Sequence, residues 1–135
     1  MKLVIRETGY AVAALCVLVK HKDRRVSVAE LAREMKIPRY FLRKIMQLLS
    51  RKGIVNSSKG QGGGFMLARP ANKIFLLDLI KIFQGPIKLS ECVFKNIVCP
   101  NIKRCKLKKI IAGLQKQVIA ELKTVRLDSL MEAGS

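Results

Sequence analysis

Three cysteines near the C-terminus are the residues with the most reactive chemistry in this 135-residue chain. Cys92, Cys99 and Cys105 are spaced C-x6-C-x5-C, beside Pro100 and among Lys95, Lys103, Arg104 and Lys106. Neighbouring positive charge lowers a thiol's pKa and favours the thiolate, the form that binds metals and meets oxidants. The spacing lacks the close C-x2-C knuckles of a zinc site, and it is not the run found in bacterial ferredoxins. Residue chemistry therefore leaves three readings open: a metal or cluster site, redox-active thiols, or inert cysteines. Cys16 stands apart on the apolar side of a predicted first helix and reads as a small core residue.

A second set of groups carries charge rather than reactivity. Between Glu34 and Asp78 there is no acidic residue, while Lys36, Arg39, Arg43, Lys44, Arg51, Lys52, Lys59, Arg69 and Lys73 fall in that window. Such a band would neutralise phosphates and release counterions from a nucleic acid. Arg39, Tyr40, Arg43, Lys44 and Gln47 lie within nine residues of one another. Guanidinium, ammonium and amide groups are the donors and acceptors that read base edges in a major groove. A little further on, Lys59 and Gln61 sit in the glycine-rich run Lys59-Gly60-Gln61-Gly62-Gly63-Gly64, as candidates for the adjacent minor groove.

The elements that must position these groups can be read from periodicity and punctuation. Apolar Val12, Leu15, Cys16 and Val19 predict a helix over 4–20. Ser27-Val28-Ala29-Glu30 is a capping box: the Ser27 hydroxyl can cap an amide, and Glu30 can reach back to the Ser27 amide. It opens a short helix over 28–35. Ile37-Pro38 breaks that helix and starts another running to about residue 52, with Leu42, Ile45, Met46 and Leu49 facing inward. Two short helices joined by a tight turn, the second basic on its outer face, form a helix-turn-helix pattern. Residues 54–58 and 65–69 read as two strands around the glycine turn, a β-hairpin wing. That run is no phosphate loop, because Phe65-Met66-Leu67 opens a strand where a phosphate loop would end in Gly-Lys-Ser/Thr and open a helix. A short helix is predicted over 76–84. From about residue 103 to 131 the stripe Leu107, Ile110, Ile111, Leu114, Val118, Leu122 and Val125 predicts one long helix that needs a partner, read as the same helix of a second subunit.

Composition narrows the function. The chain holds 27 Lys and Arg against 9 Asp and Glu, a formal charge of +18, and is 50% hydrophobic. A charge of that size usually answers an anionic partner. The longest apolar run, residues 9–19, is too short to span a bilayer, and the early Arg6-Glu7 pair argues against a secretory leader; the expected location is cytoplasmic. Membrane-surface binding would need the apolar face that the helix-turn-helix uses for packing. RNA binding would need more rings to stack bases than the seven aromatics here, none of them Trp. No acid pair, catalytic triad or nucleotide motif is present, so no enzyme activity is expected.

Taken together, Gly53-Ile54-Val55-Asn56-Ser57, the run from Lys59 to Ala68, and three cysteines ahead of a long terminal helix resemble the dimeric winged-helix iron–sulfur transcription regulators. That family includes IscR, NsrR and RirA, with cluster-free CymR as a relative. The resemblance covers nearly the whole chain. It implies a [2Fe–2S] or [4Fe–4S] cluster at Cys92, Cys99 and Cys105, a recognition helix in the major groove and a wing in the minor groove. It departs from the family at the fourth ligand. Lys108 stands where IscR-like members carry a histidine, and Gly9 stands where NsrR-like members carry a carboxylate before an aromatic-Ala pair, here Tyr10-Ala11. Glu7 is the candidate substitute, against a plain role as a helix N-terminal charge; His21 is read as a solvent-facing cap of the first helix. Arg43-Lys44 replaces Glu-Gln on the recognition face. Arginine favours guanine where a carboxylate accepts from cytosine, so a different operator is implied.

The sequence thus predicts a mainly α fold with a small β-hairpin, in three parts. Residues 1–85 would be a winged helix-turn-helix DNA-binding domain, 86–105 a cysteine-bearing sensor loop, and 106–132 a dimerisation helix. The expected function is a homodimeric DNA-binding regulator, a repressor, acting on a pseudo-palindromic duplex operator under control of an iron–sulfur cluster. The alternative is a cluster-free winged-helix repressor controlled by a partner protein or by thiol redox state.

Overall fold

A computed structural model describes residues 2–89 and 106–132. Within them lie six α-helices and one two-stranded antiparallel sheet: α1 Arg6–Lys20, α2 Val28–Met35, α3 Arg39–Arg51, β1 Val55–Ser58, β2 Gly64–Leu67, α4 Leu76–Gln84, α5 Lys106–Leu122 and α6 Leu127–Glu132. The mainly helical class with a small hairpin is as the sequence predicts.

The start of α2 follows from Ser27, whose hydroxyl accepts from the Glu30 amide at 3.1 Å. Only half of the expected reciprocal cap forms. The Glu30 carboxylate turns to Arg24 instead, at 2.9 and 3.1 Å, because a charged two-pronged donor outcompetes a single backbone amide. The helix ends at Lys36, which takes the left-handed conformation at φ 58° and ψ 45°. Pro38 then precedes the first turn of α3. Leu42, Ile45, Met46 and Leu49 of α3 are buried against α1 and α2, in a core with Ala11, Ala14, Leu15, Leu18 and Leu31.

The hairpin pairs Val55 with Leu67 and Ser58 with Gly64. A third extended piece joins it. Val26 donates to and accepts from Phe65 at 2.9 and 2.8 Å, so the connection between α1 and α2 lies along β2. Gly64 makes this possible: at φ 146°, an added Cβ would sit 2.6 Å from the Val26 carbonyl oxygen.

The C-terminal region departs from the single long helix predicted to 131. Helix α5 stops at Leu122, where the Thr124 hydroxyl bonds the Glu121 carbonyl at 2.7 Å. A β-branched, backbone-bonding side chain there competes with helix continuation. Val125 and Arg126 run extended beside Ile74–Leu76: the Leu76 amide bonds Val125 O at 2.9 Å, and the Leu127 amide bonds Ile74 O at 2.8 Å. Ser129 closes the first turn of α6, bonding Arg126 at both backbone groups. Leu127 is then buried in the same core as α1 and α3.

Candidate nucleic-acid interface

Burial of one side of α3 dictates what the other side presents. With Leu42, Ile45, Met46 and Leu49 inward, Arg39, Tyr40, Arg43, Lys44, Gln47 and Arg51 are all exposed. Residues 40, 43, 44 and 47 follow the i, i+3, i+4, i+7 spacing that places side chains on one helical face. The Tyr40 and Phe41 rings stack, with centroids 4.5 Å apart and planes 29° apart.

The wing adds Lys59 and Gln61, both exposed at a tip where Gly60 and Gly62 take positive φ and the Gly63 amide closes on Gly60 O at 3.0 Å. Two side-chain contacts fix the wing's base. Ser50 at the end of α3 bonds Ser57 of β1 at 3.4 Å, and Arg25 donates to the Asn56 carbonyl at 3.4 Å. Sequence reasoning missed Arg25. Its role depends on the Val26–Phe65 pairing, which links residues far apart in the chain and leaves no local pattern.

Three acidic residues, Glu30, Glu34 and Asp128, engage cations away from α3 and the wing. Glu34 lies 3.7 Å from Lys20 and 3.9 Å from the His21 Nε2, and Asp128 lies 3.1 Å from Arg126. The Arg24 hydrogen bond holds the half-buried Glu30 carboxyl below its ordinary pKa. The band over α3 and the wing, which has no acid of its own in sequence, is therefore left with a positive potential that suits phosphates.

Cys92, Cys99 and Cys105 lie outside the described residues. Among the described residues no three His, Cys, Asp or Glu side chains gather as a metal site. Glu7 is exposed on the first turn of α1. Cys16 is half-buried against the core, and that burial pushes its thiol pKa up, in keeping with a packing role. His21 forms the C-cap of α1, as read, but its side chain is half-buried beside Glu34 and does not face open solvent.

The described ends of the cysteine-bearing segment both meet α5. The Leu89 amide bonds the Gln115 side chain at 3.1 Å, and α5 itself starts at Lys106. Further along, Leu122, with Val118 and Ile119, packs on Leu77, Ile80 and Ile87. In the first half of α5, by contrast, Leu107, Ile110 and Leu114 are exposed, Leu107 by 68% and Ile110 by 61%. At the other end of α4, Gln84 ties down the N-terminus. Its Oε1 accepts from the Ile5 amide and the Thr8 hydroxyl, each at 3.0 Å, and its Nε2 donates to Lys2 O at 3.1 Å. This gives α1 the cap its own sequence lacks. Among the described residues no helix is long and apolar enough to cross a membrane.

Comparison with known proteins places these features in context. Residues 4–133 match the family model Rrf2, described as iron-dependent transcriptional regulator. A putative HTH-type transcriptional regulator from Aquifex aeolicus is 43% identical over 90 residues, covering 67% of this chain and 62% of the relative. Protein aau3 of Rhizobium meliloti is 30% identical over 129 residues, covering 95% of this chain and 84% of that protein. Among solved structures, a putative transcriptional regulator from Listeria innocua superposes with a TM-score of 0.83 at 23% identity, covering 100% of this chain and 89% of the other. T. potens IscR gives 0.75 at 23%, with the same two coverages. The B. subtilis global cysteine regulator CymR gives 0.76 at 22%, covering 98% of each.

Proposed function

This chain belongs to the Rrf2 family of iron-dependent transcriptional regulators, a family of DNA-binding proteins and not of enzymes, and from that premise we propose that it is a homodimeric repressor whose operator binding is governed by an iron–sulfur cluster. The observation that carries the DNA-reading half is the single exposed face of α3. Arg39, Tyr40, Arg43, Lys44 and Gln47 share it, with Lys59 and Gln61 on the wing beside it. In this reading α3 enters the major groove and the wing follows the neighbouring minor groove. Two copies related by a twofold axis read half-sites about one helical turn apart. The exposed Leu107, Ile110 and Leu114 supply an apolar strip for the second copy.

The residues that would hold the cluster are Cys92, Cys99 and Cys105, with Glu7 of the second subunit as the fourth ligand. Thiolate-favouring cations beside the cysteines suit such a donor set. When bound, the cluster supplies a group whose charge and integrity respond to redox state and iron supply. The chain's own residues carry the response. Gln115 holds Leu89 to α5, Leu122 holds α5 to α4, and Leu127 holds the C-terminal end to the core under α3. A shift of α5 therefore moves the reading heads relative to each other and alters their fit to spaced half-sites.

The test is anaerobic purification followed by DNA-binding titrations of the loaded, chelator-stripped and Cys99→Ala proteins. The expected result is visible cluster absorbance, lost in Cys99→Ala, with operator affinity differing between loaded and stripped forms. A colourless protein, with Cys99→Ala binding as wild type does with or without iron, defeats cluster control. The likeness in fold to CymR then favours a cluster-free repressor answering a partner protein or thiol oxidation.

A further inference from the structure

Tyr40 is out of keeping with its surroundings. It is 60% exposed, a large aromatic ring on the outer face of a helix otherwise lined with cations and an amide. Beyond its stack on Phe41, no other aromatic contact is found among the described residues. Phe41 is half-buried, so the stack gives the Tyr40 ring a supported orientation with its other side open. That is the kind of preorganisation that lowers the ordering cost of a contact.

Its position is also specific. Tyr40 is in the first turn of α3, and helical side chains lean toward the N-terminus. In helix-turn-helix proteins the N-terminal residues of the recognition helix are the ones that reach base edges. Arg43 and Lys44 lie at i+3 and i+4, on the same face, with donors for guanine O6 and N7. Cationic donors do not discriminate an apolar group. In the major groove one apolar group is available, the C5-methyl of thymine.

We infer that Tyr40 is a specificity-determining residue that reads a thymine methyl with its ring, next to the guanine contacted by Arg43 or Lys44. This rests on the DNA-reading interface proposed above and adds to it a base identity and the group that selects it. The contact is between the ring and the methyl; the phenolic hydroxyl is not required.

Uracil substitution tests it, because uracil removes only the methyl. Full-length protein is first used to enrich duplexes of about 30 base pairs, enough for two half-sites about one turn apart, from a randomised pool. Each thymine of the enriched duplex is then replaced by uracil in turn, and affinities of wild type, Tyr40→Phe, Tyr40→Ala and Arg43→Ala are measured. For wild type one thymine per half-site is sensitive, by about fourfold each, the factor corresponding to ~0.8 kcal/mol for a buried methyl. Replacing both costs about fifteenfold, the product of two such factors. Tyr40→Phe keeps this sensitivity, Tyr40→Ala loses it while still preferring the guanines, and Arg43→Ala keeps it while relaxing guanine preference. Retained uracil sensitivity in Tyr40→Ala overturns the inference. So does a Tyr40→Phe variant that weakens binding equally to every duplex, since that marks a hydroxyl-to-phosphate contact. Enrichment that yields no shared sequence defeats the underlying interface, and is told apart by wild type itself showing no preferred base. Unchanged thermal unfolding of Tyr40→Ala shows that an altered readout does not come from misfolding.

Discussion

Replacing Gly64 by alanine should break the seam that joins the wing to the rest of the domain. The added Cβ would lie 2.6 Å from the Val26 carbonyl oxygen and 3.0 Å from the Ser27 amide nitrogen. Both are backbone atoms, and Ser27 is also the cap of α2, so neither can swing aside as a flexible side chain would. Two hydrogen bonds, Val26 to Phe65 and its reciprocal, are forced open at ~1 kcal/mol each. Holding an alanine at φ 146° adds about 1–3 kcal/mol of backbone strain. The sum is about 3–5 kcal/mol, against about 5–15 kcal/mol for the whole stability of an ordinary domain. Gly53 is the matched control. It too has a positive φ, of 78°, but an added Cβ meets nothing within 4 Å, so Gly53→Ala should cost only ~1 kcal/mol for the backbone conformation. Urea unfolding at unchanged slope measures both, and DNA titration of the folded Gly64→Ala protein should show weaker binding as Lys59 and Gln61 are displaced. If the two variants lose equal stability within about 0.5 kcal/mol, the uncertainty of such comparisons, the close approach at Gly64 has no energetic weight and the reasoning fails.

Leu127→Ala should cost about 2–5 kcal/mol, as a buried leucine truncation does, whereas Leu130→Ala on the exposed side of the same helix should stay within about 0.5 kcal/mol; equal small losses in denaturant unfolding would mean α6 is not docked. Lys36→Gly removes a left-handed strain of ~1–2 kcal/mol against a gain in unfolded-chain freedom of ~0.4–1 kcal/mol. Its net effect is a modest rise in melting temperature, and a fall would contradict the conformation at Lys36. Lys59→Ala should lower the slope of log affinity against log salt by about 0.9 per subunit if its ammonium meets a phosphate, and an unchanged slope removes it from the interface. Cys16, with its thiol pKa raised by burial, should alkylate more slowly at mildly alkaline pH in the folded protein than in the urea-unfolded chain, followed by mass spectrometry; equal rates would show that the thiol is not shielded.

The parts of the fold legible in sequence were those decided by nearby residues. Ser27 sits where its hydroxyl must meet an amide three residues on, Pro38 cannot continue a helix, and the spacing of Leu42, Ile45, Met46 and Leu49 leaves α3 one way to face. Those three facts alone put Tyr40, Arg43, Lys44 and Gln47 on a common surface. What escaped was decided at a distance. Glu30 had two donors within reach, and Arg24 competed as a charged fork that the capping pattern does not encode. The stripe through Leu122 and Val125 reads as continuous because its apolar spacing is helical. The extended path at Val125 arises from pairing with Ile74 and Leu76, about 50 residues earlier in the sequence. Gln84 is an unremarkable helix-end amide until Ile5, Thr8 and Lys2 converge on it.

The return of the chain at Val125 to Leu127 bears on how such a regulator could be recombined. A gene fusion that joins the reading head, cut after residue 85, to another sensor would leave the amide of Leu76 and the carbonyl of Ile74 without the strand that now pairs with them. It would also leave an open socket in the core where Leu127 sits. The head would be exchangeable only together with its tail. A graft made to swap sensors should keep residues 123–132 in place and insert new sequence between α4 and α5, where Leu89 on one side is held to Gln115 and α5 begins at Lys106 on the other.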